Sequence, residues 1–158
     1  MVTEPEYFKR LNSMSKTTVV DMVPNWGNGS DPQSVLKRMK KHLKDNPLSN
    51  GDEAWIGLDC DDWPEDKLGA IVAWARKDRR YHFSLSQRRF EDWLKLHIVG
   101  DYEAGKKFHR TLSGEDKHIP EDFVTKDRVL AAVERAKRLR GKQSVGNVFE
   151  LIEAFFRN

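Results

Sequence analysis

The chain has one cysteine in 158 residues. That excludes an internal disulfide framework, and a lone thiol does not make a zinc site. No apolar run approaches the ~18 residues that a membrane helix needs; Gly69–Ala75 is among the longest and falls far short. The opening Met1-Val2-Thr3-Glu4-Pro5 lacks the basic-then-apolar pattern of a secretory leader. The expectation is therefore a cytoplasmic protein. Internal repeats and low-complexity stretches are absent too. Charge of one sign is scarce: 28 Lys and Arg stand against 25 Asp and Glu, a net of +3. So weak a balance permits a nucleic-acid partner without demanding one.

Hydrophobic residues make up 38% and charged residues 34%. This suits a globular chain with a charged surface, not a disordered tail or a collagen-like chain. The length fits one domain spanning 1–158 with one core. Thr3–Leu11 reads as a helix with Pro5 near its first turn. The β-branched run Thr17–Val23 reads as a strand, and Asn25–Ser30 as a turn-forming loop. Asp31 and Pro32 form an N-cap and N1 pair, and Leu36, Met39 and Leu43 behind them make an amphipathic helix. Ala54–Leu58, apolar throughout, suits a strand buried on both faces. Pro64 opens a further helix, Tyr81–Leu85 is a third strand, and Gln87–Val99 is helical with Phe90, Trp93, Leu94 and His97 on one stripe. Gly100–Phe123 is irregular and charged. Two helices close the chain, one carrying Val129, Val133 and Ala136, the other Val148, Phe149, Ile152, Phe155 and Phe156. Strands alternating with helices imply an α/β fold: a small, mainly parallel sheet flanked by helices. Such sheets bind ligands beyond the carboxyl ends of their strands.

Immediately after the apolar strand the chain turns acidic, with Asp59-Cys60-Asp61-Asp62. Side chains alternate along a strand, so Asp59 and Asp61 share a face and Cys60 takes the other. Paired carboxylates repel unless a cation or donors offset them. Magnesium takes oxygen ligands and keeps several waters, so two or three carboxylates suffice. The competing reading is that Asp61 and Asp62 cap the helix after Pro64 while Asp59 is solvated.

Several ordered segments go beyond spacing. Thr3-Glu4-Pro5-Glu6-Tyr7-Phe8, Gly29-Ser30-Asp31-Pro32 with Ser34-Val35-Leu36, the strand from Glu53 to Asp61 ending in Asp-x-Asp, the helix from Arg89 to His97, and Asn147–Ile152 resemble, in that order, segments of the RloB-like family. The resemblance covers nearly the whole chain. It implies a Toprim-like fold, a place in abortive phage defence beside an SMC-like or AAA-type ATPase, and magnesium-dependent (or manganese-dependent) cutting of nucleic acid. It also implies Asp59 and Asp61 as the metal ligands. In the family an apolar strand ending in Cys-Glu-Gly precedes Thr-Glu-Pro. Here Met1 and Val2 alone precede Thr3, so the resemblance implies a chain short of that strand and its glutamate.

Other residues carry paired readings. Glu4 either lies near the metal or favours a helix N-terminus. Glu91 is a site carboxylate on the matching family helix, or a simple helical partner of Lys95. His97 is a satisfied core histidine by default, or a group for acid–base or phosphate contact. Asn25–Ser30 precedes a helix as phosphate-cradling loops do, but it lacks a Walker lysine. Basic runs occur at Lys37–Lys44, Arg76–Arg80, Arg88-Arg89 and Arg135–Lys142. Each is a solvated face or a nucleic-acid contact, and Arg88 and Arg89 are the preferred contacts because they open the helix beside the proposed site. Trp26 and Trp63 either stack on bases or pack over the sheet end. Two functions remain open. One is a magnesium-dependent nuclease with Glu4, Glu91 and His97 as catalytic candidates. The other is a non-catalytic, truncated family member that binds an ATPase or nucleic acid.

Overall fold

The computed structural model describes residues 3–23, 29, 31–59, 63, 65–86, 90–100, 108, 118–120, 122–139 and 146–157. Its elements run α1 (Thr3–Asn12), α2 (Pro32–Asp45), β1 (Ala54–Asp59), α3 (Glu65–Ala75), β2 (Tyr81–Ser86), α4 (Phe90–Lys95), α5 (Lys126–Leu139) and α6 (Val148–Phe156). Among the described residues this is an α/β arrangement of helices around a small parallel sheet of two strands.

α2 starts where its cap requires. The Asp31 carboxylate accepts hydrogen bonds from the Gln33 and Ser34 N–H groups, both at 3.1 Å, and Pro32 stands at the first helical position. A bond from the Ser34 side chain, and after it the bonds from the Ser34 and Gln33 N–H groups, hold the Asp31 carboxyl below its usual pKa. Ala54 pairs with Tyr81 and Asp59 with Ser86, so β1 and β2 run parallel over six residues. Leu36 of α2 and Ile71 and Trp74 of α3 pack with Ala54, Ile56 and Leu58 into one apolar cluster. The second, larger cluster joins α1, α4, α5 and α6 around Tyr7, Leu11, Trp93, Leu94, Val129 and Ile152.

Two expectations are corrected. β1 is buried on one face only: Ala54, Ile56 and Leu58 are buried, whereas Trp55 is half-buried and Gly57 exposed. A Cβ added at Gly57 would meet nothing within 4 Å. The helices that cover β1 lie on its α2–α3 side. Thr17–Val23 is not a strand. β-branched residues favour a strand only where a neighbour offers a ladder and a packing surface. Here the Asn12 side chain supplies the pairing, accepting from the Val20 N–H at 2.7 Å and donating to the Val20 C=O at 2.9 Å. Val19 is 73% exposed.

A two-stranded sheet is marginal by itself, and β2 is held on its second edge by one side chain. Asn147 Oδ1 accepts from the Leu85 N–H at 2.7 Å. Its Nδ2 donates to the Phe83 C=O at 3.0 Å, and its backbone N–H donates to the Leu85 C=O at 3.0 Å. Asn147 therefore occupies the place of a third strand for one residue's length. Asn147→Ala would leave a partly buried N–H and C=O without partners. Unmet groups of that kind cost about 1–3 kcal/mol each when buried, so we expect a loss of roughly 2–4 kcal/mol in urea unfolding. Asn147→Asp should be intermediate, because it keeps the acceptor and loses the donor.

Candidate functional site

The parallel pairing fixes which groups meet at the carboxyl end of the sheet. β1 ends at Asp59 opposite Ser86, the last residue of β2. Four peptide links then lead from Ser86 to Phe90, the start of α4, a reach of at most roughly 14 Å. The backbone of Asp59 and the first turn of α4 are thus held at one end of the fold. Glu91 sits in that first turn beside Asp92. It is half-buried, and among the described residues its carboxylate has no ion-pair partner. The helical pairing with Lys95 does not form, since Lys95 Nζ lies 2.6 Å from Asp92 instead.

Of the sequence candidates, Asp61, Arg88 and Arg89 lie outside the described residues, as do Cys60, Asp62, Trp26 and most of the loop 25–30; of Asp59 the backbone is described. Among the described side chains no three of His, Cys, Asp or Glu come together as a metal-ligating group. Glu4 is half-buried in the first turn of α1, and its Oε2 accepts a bond from the Thr3 hydroxyl at 3.3 Å. Trp63 has the Lys67 ammonium over its ring at 5.4 Å.

His97 takes the core arrangement. It is 3% exposed, wedged edge-on against Tyr7 and Trp93 and stacked on Phe123. Nδ1 lies 3.2 Å from the Trp93 C=O, which only accepts, so the proton is assigned to Nδ1. Nε2 then accepts from the Tyr7 hydroxyl at 3.1 Å. Both ring nitrogens are used, and the pair ties the end of α4 to α1. Burial pushes the Tyr7 hydroxyl well above its ordinary range.

A concavity of about 520 Å³ opens at the other end of the sheet between β1, β2, α5 and α6. Trp55 and His82, paired in register, stack there at 4.6 Å. Glu53 accepts the Trp55 indole N–H at 3.0 Å and stands 3.7 Å from His82 Nε2. Glu150, Glu153 and Lys137 line the far wall, and Lys137 is neutralised by Glu153 at 2.5 Å. His82 has no role legible from sequence, because the register that brings it over Trp55 joins residues 27 positions apart. The groove faces the amino ends of the strands, away from Asp59.

Together these features define an α/β protein whose candidate site sits at the carboxyl end of a parallel strand pair. The family model described as RloB-like protein matches residues 1–155, and the chain belongs to that family. No curated protein and no solved structure matches it at a significant level.

His97 makes stability depend on acid. Burial chiefly lowers its pKa, from 6.5 to about 4. Between those values the unfolded chain binds a proton that the folded chain refuses. Stability is complete above about pH 6.5 and falls as pH drops towards 4, by roughly 3 kcal/mol from this group. Urea midpoints measured from pH 7 to 4 should show that decline. His97→Gln should start lower at pH 7 and show a flatter slope over the same window.

Proposed function

We propose that this chain is a metal-dependent nuclease that hydrolyses phosphodiester bonds of nucleic acid, within an abortive-infection system of phage defence. What supports the reading is membership of the RloB-like family over residues 1–155, together with a parallel pairing in which β1 ends at Asp59 opposite Ser86, four links before the helix that carries Glu91. A Toprim-like arrangement is consistent with that topology. The donor chemistry suits a hard cation: carboxylates, with no described lysine or arginine pairing Glu91. Asp59 and Asp61 would hold magnesium or manganese, and the bound ion would supply charge stabilisation at the phosphate and an acidified water.

The chain's own groups do the rest. Glu91, half-buried and without an ion-pair partner among the described residues, would accept a proton from an attacking water and orient it. Arg88 and Arg89 precede it in sequence and bring cations to the phosphate backbone. Glu4 is an added carboxylate on α1, the helix that Tyr7 locks to α4. His97 acts from inside the core as a positioning residue: its bonds to Trp93 and Tyr7 fix the helix that carries Glu91. An SMC-like or AAA-type ATPase is the expected protein partner.

The test uses labelled DNA and transfer RNA in magnesium. Cleavage is expected, with Asp59→Ala abolishing it and Glu91→Gln lowering the rate about 10²–10⁴-fold, the usual contribution of a general base. Calorimetry should give a magnesium-binding heat that the Asp59→Asn, Asp61→Asn double variant lacks. Absence of cutting with and without an ATPase partner, together with equal heats for both proteins, would move the assignment to a non-catalytic binding protein.

A further inference from the structure

α2 carries four lysines, Lys37, Lys40, Lys41 and Lys44, at spacings of 0, 3, 4 and 7. That spacing puts them on one helix face, and all four are exposed. At 1.5 Å per residue the stripe is about 10 Å long. Among the described residues none of the four has an ion-pair partner. From Pro32 to Lys44 the helix contains no Asp or Glu at all, although the chain has 25 acidic residues. Like charges at these spacings repel, so the face carries an uncompensated field.

Cations elsewhere are used differently. Arg10 bonds Glu6 and the Ile119 C=O. Arg80 holds Asp78. Arg135 donates to the Leu96 C=O, and Lys137 pairs with Glu134 and Glu153. Arg80, Arg135 and Lys137 thus serve local structure, while the four α2 lysines are exposed and have no ion-pair partner among the described residues. Its direction matters. The loop after α2 touches the start of β2, where Arg80 Nη1 reaches the Leu48 C=O. Lys44 thus marks the amino end of the sheet, and Lys37 lies towards the end where Asp59 sits.

We infer that the α2 lysine stripe is a docking surface for the phosphodiester backbone of a nucleic-acid strand, leading it along the outer face towards the carboxyl end of β1. This rests on the nuclease reading for its direction, not for the binding itself. An anionic membrane is the competing polyanion. An amphipathic helix that binds membrane must bury its apolar face in lipid, and on α2 that face is already occupied. Leu36 is buried against β1 and α3, with Val35, Met39 and Leu43 packed beside it. What remains outside is charge without apolar anchors, which fits a solvated phosphate chain.

The experiment measures binding of a fluorescent 20-nucleotide single strand by anisotropy, in EDTA so that cleavage plays no part, across a salt series. Each lysine that neutralises a phosphate on a single strand adds about 0.7 to the slope of log affinity against log salt. The variant with Lys37, Lys40, Lys41 and Lys44 all changed to Gln should bind at least about tenfold more weakly near 50 mM salt and lose about 2–3 from that slope. Its melting temperature should not fall, because repulsion has been removed. The matched control changes Lys9, Lys16, Lys126 and Arg138 to Gln, four exposed cations off the stripe, and should keep most of the binding and slope. Equal losses in both variants would overturn the inference, since net charge alone would then explain binding. Failure of the unmodified chain to bind the strand, or its capture by anionic vesicles in place of the strand, would overturn it as well. Binding through the stripe by a chain that cuts nothing in magnesium would leave this inference standing while the nuclease reading fails.

Discussion

The contact on which both halves of the structure depend is Asn147 against β2. Asn147 immediately precedes α6, the position from which a side chain normally caps a helix. It makes no side-chain cap bond to that helix. Its Oδ1 goes to the Leu85 N–H and its Nδ2 to the Phe83 C=O and to Glu150. A cap contributes about 1 kcal/mol; two bonds to an otherwise open strand edge offset that loss. One residue later Val148 and Phe149 enter the larger apolar cluster. Asn147 thus forms a polar junction between the helical core and the sheet, whose buried apolar clusters are separate among the described residues.

That junction also fixes register. A one-residue slip of β2 would reverse the faces of Phe83 and Leu85, which pack with the α2–α3 cluster. It would also move Ser86 away from Asp59. Holding Leu85 by both its N–H and its C=O therefore sets where β2 ends, and so where α4 begins. At the far end of α4 the Tyr7–His97–Trp93 chain does the equivalent task. Glu91 lies between two fixed points, so a carboxylate on a helix of only six residues is still positioned.

The sequence was readable where one signal sufficed. Asp31-Pro32 with Leu36, Met39 and Leu43 marked α2, because cap and apolar stripe are both local. Ala54–Leu58 marked β1, though its openness at Gly57 depends on which helices cover it. The stripe Phe90, Trp93, Leu94, His97 foretold burial of all four residues. It did not foretell Tyr7, which lies 90 positions from His97. Thr17–Val23 misled because strand propensity is a statement about neighbours, and Asn12 supplies the pairing there. Asn147 looks like any loop asparagine until its partners, 62 and 64 positions away, are known. The acidic run Asp59–Asp62 stands out in the sequence because carboxylates directly after an apolar strand require a reason; β1 ends at Asp59, and the side chains of 59–62 lie outside the described residues.

Helix direction supplies part of that reason. β1 and β2 are parallel, so α3, which connects them, begins at the carboxyl end of β1 and returns to the amino end. Its positive N-terminus follows the acidic run Asp59–Asp62 in sequence. A carboxylate near a helix N-terminus gains about 0.3–1 kcal/mol. The opposite end of the sheet is different. There Glu53 has the Trp55 N–H, Glu153 has Lys137, and Glu150 has the Asn147 amide. Each of those carboxylates already has its donor, whereas Glu91, at the Asp59 end, has none among the described residues.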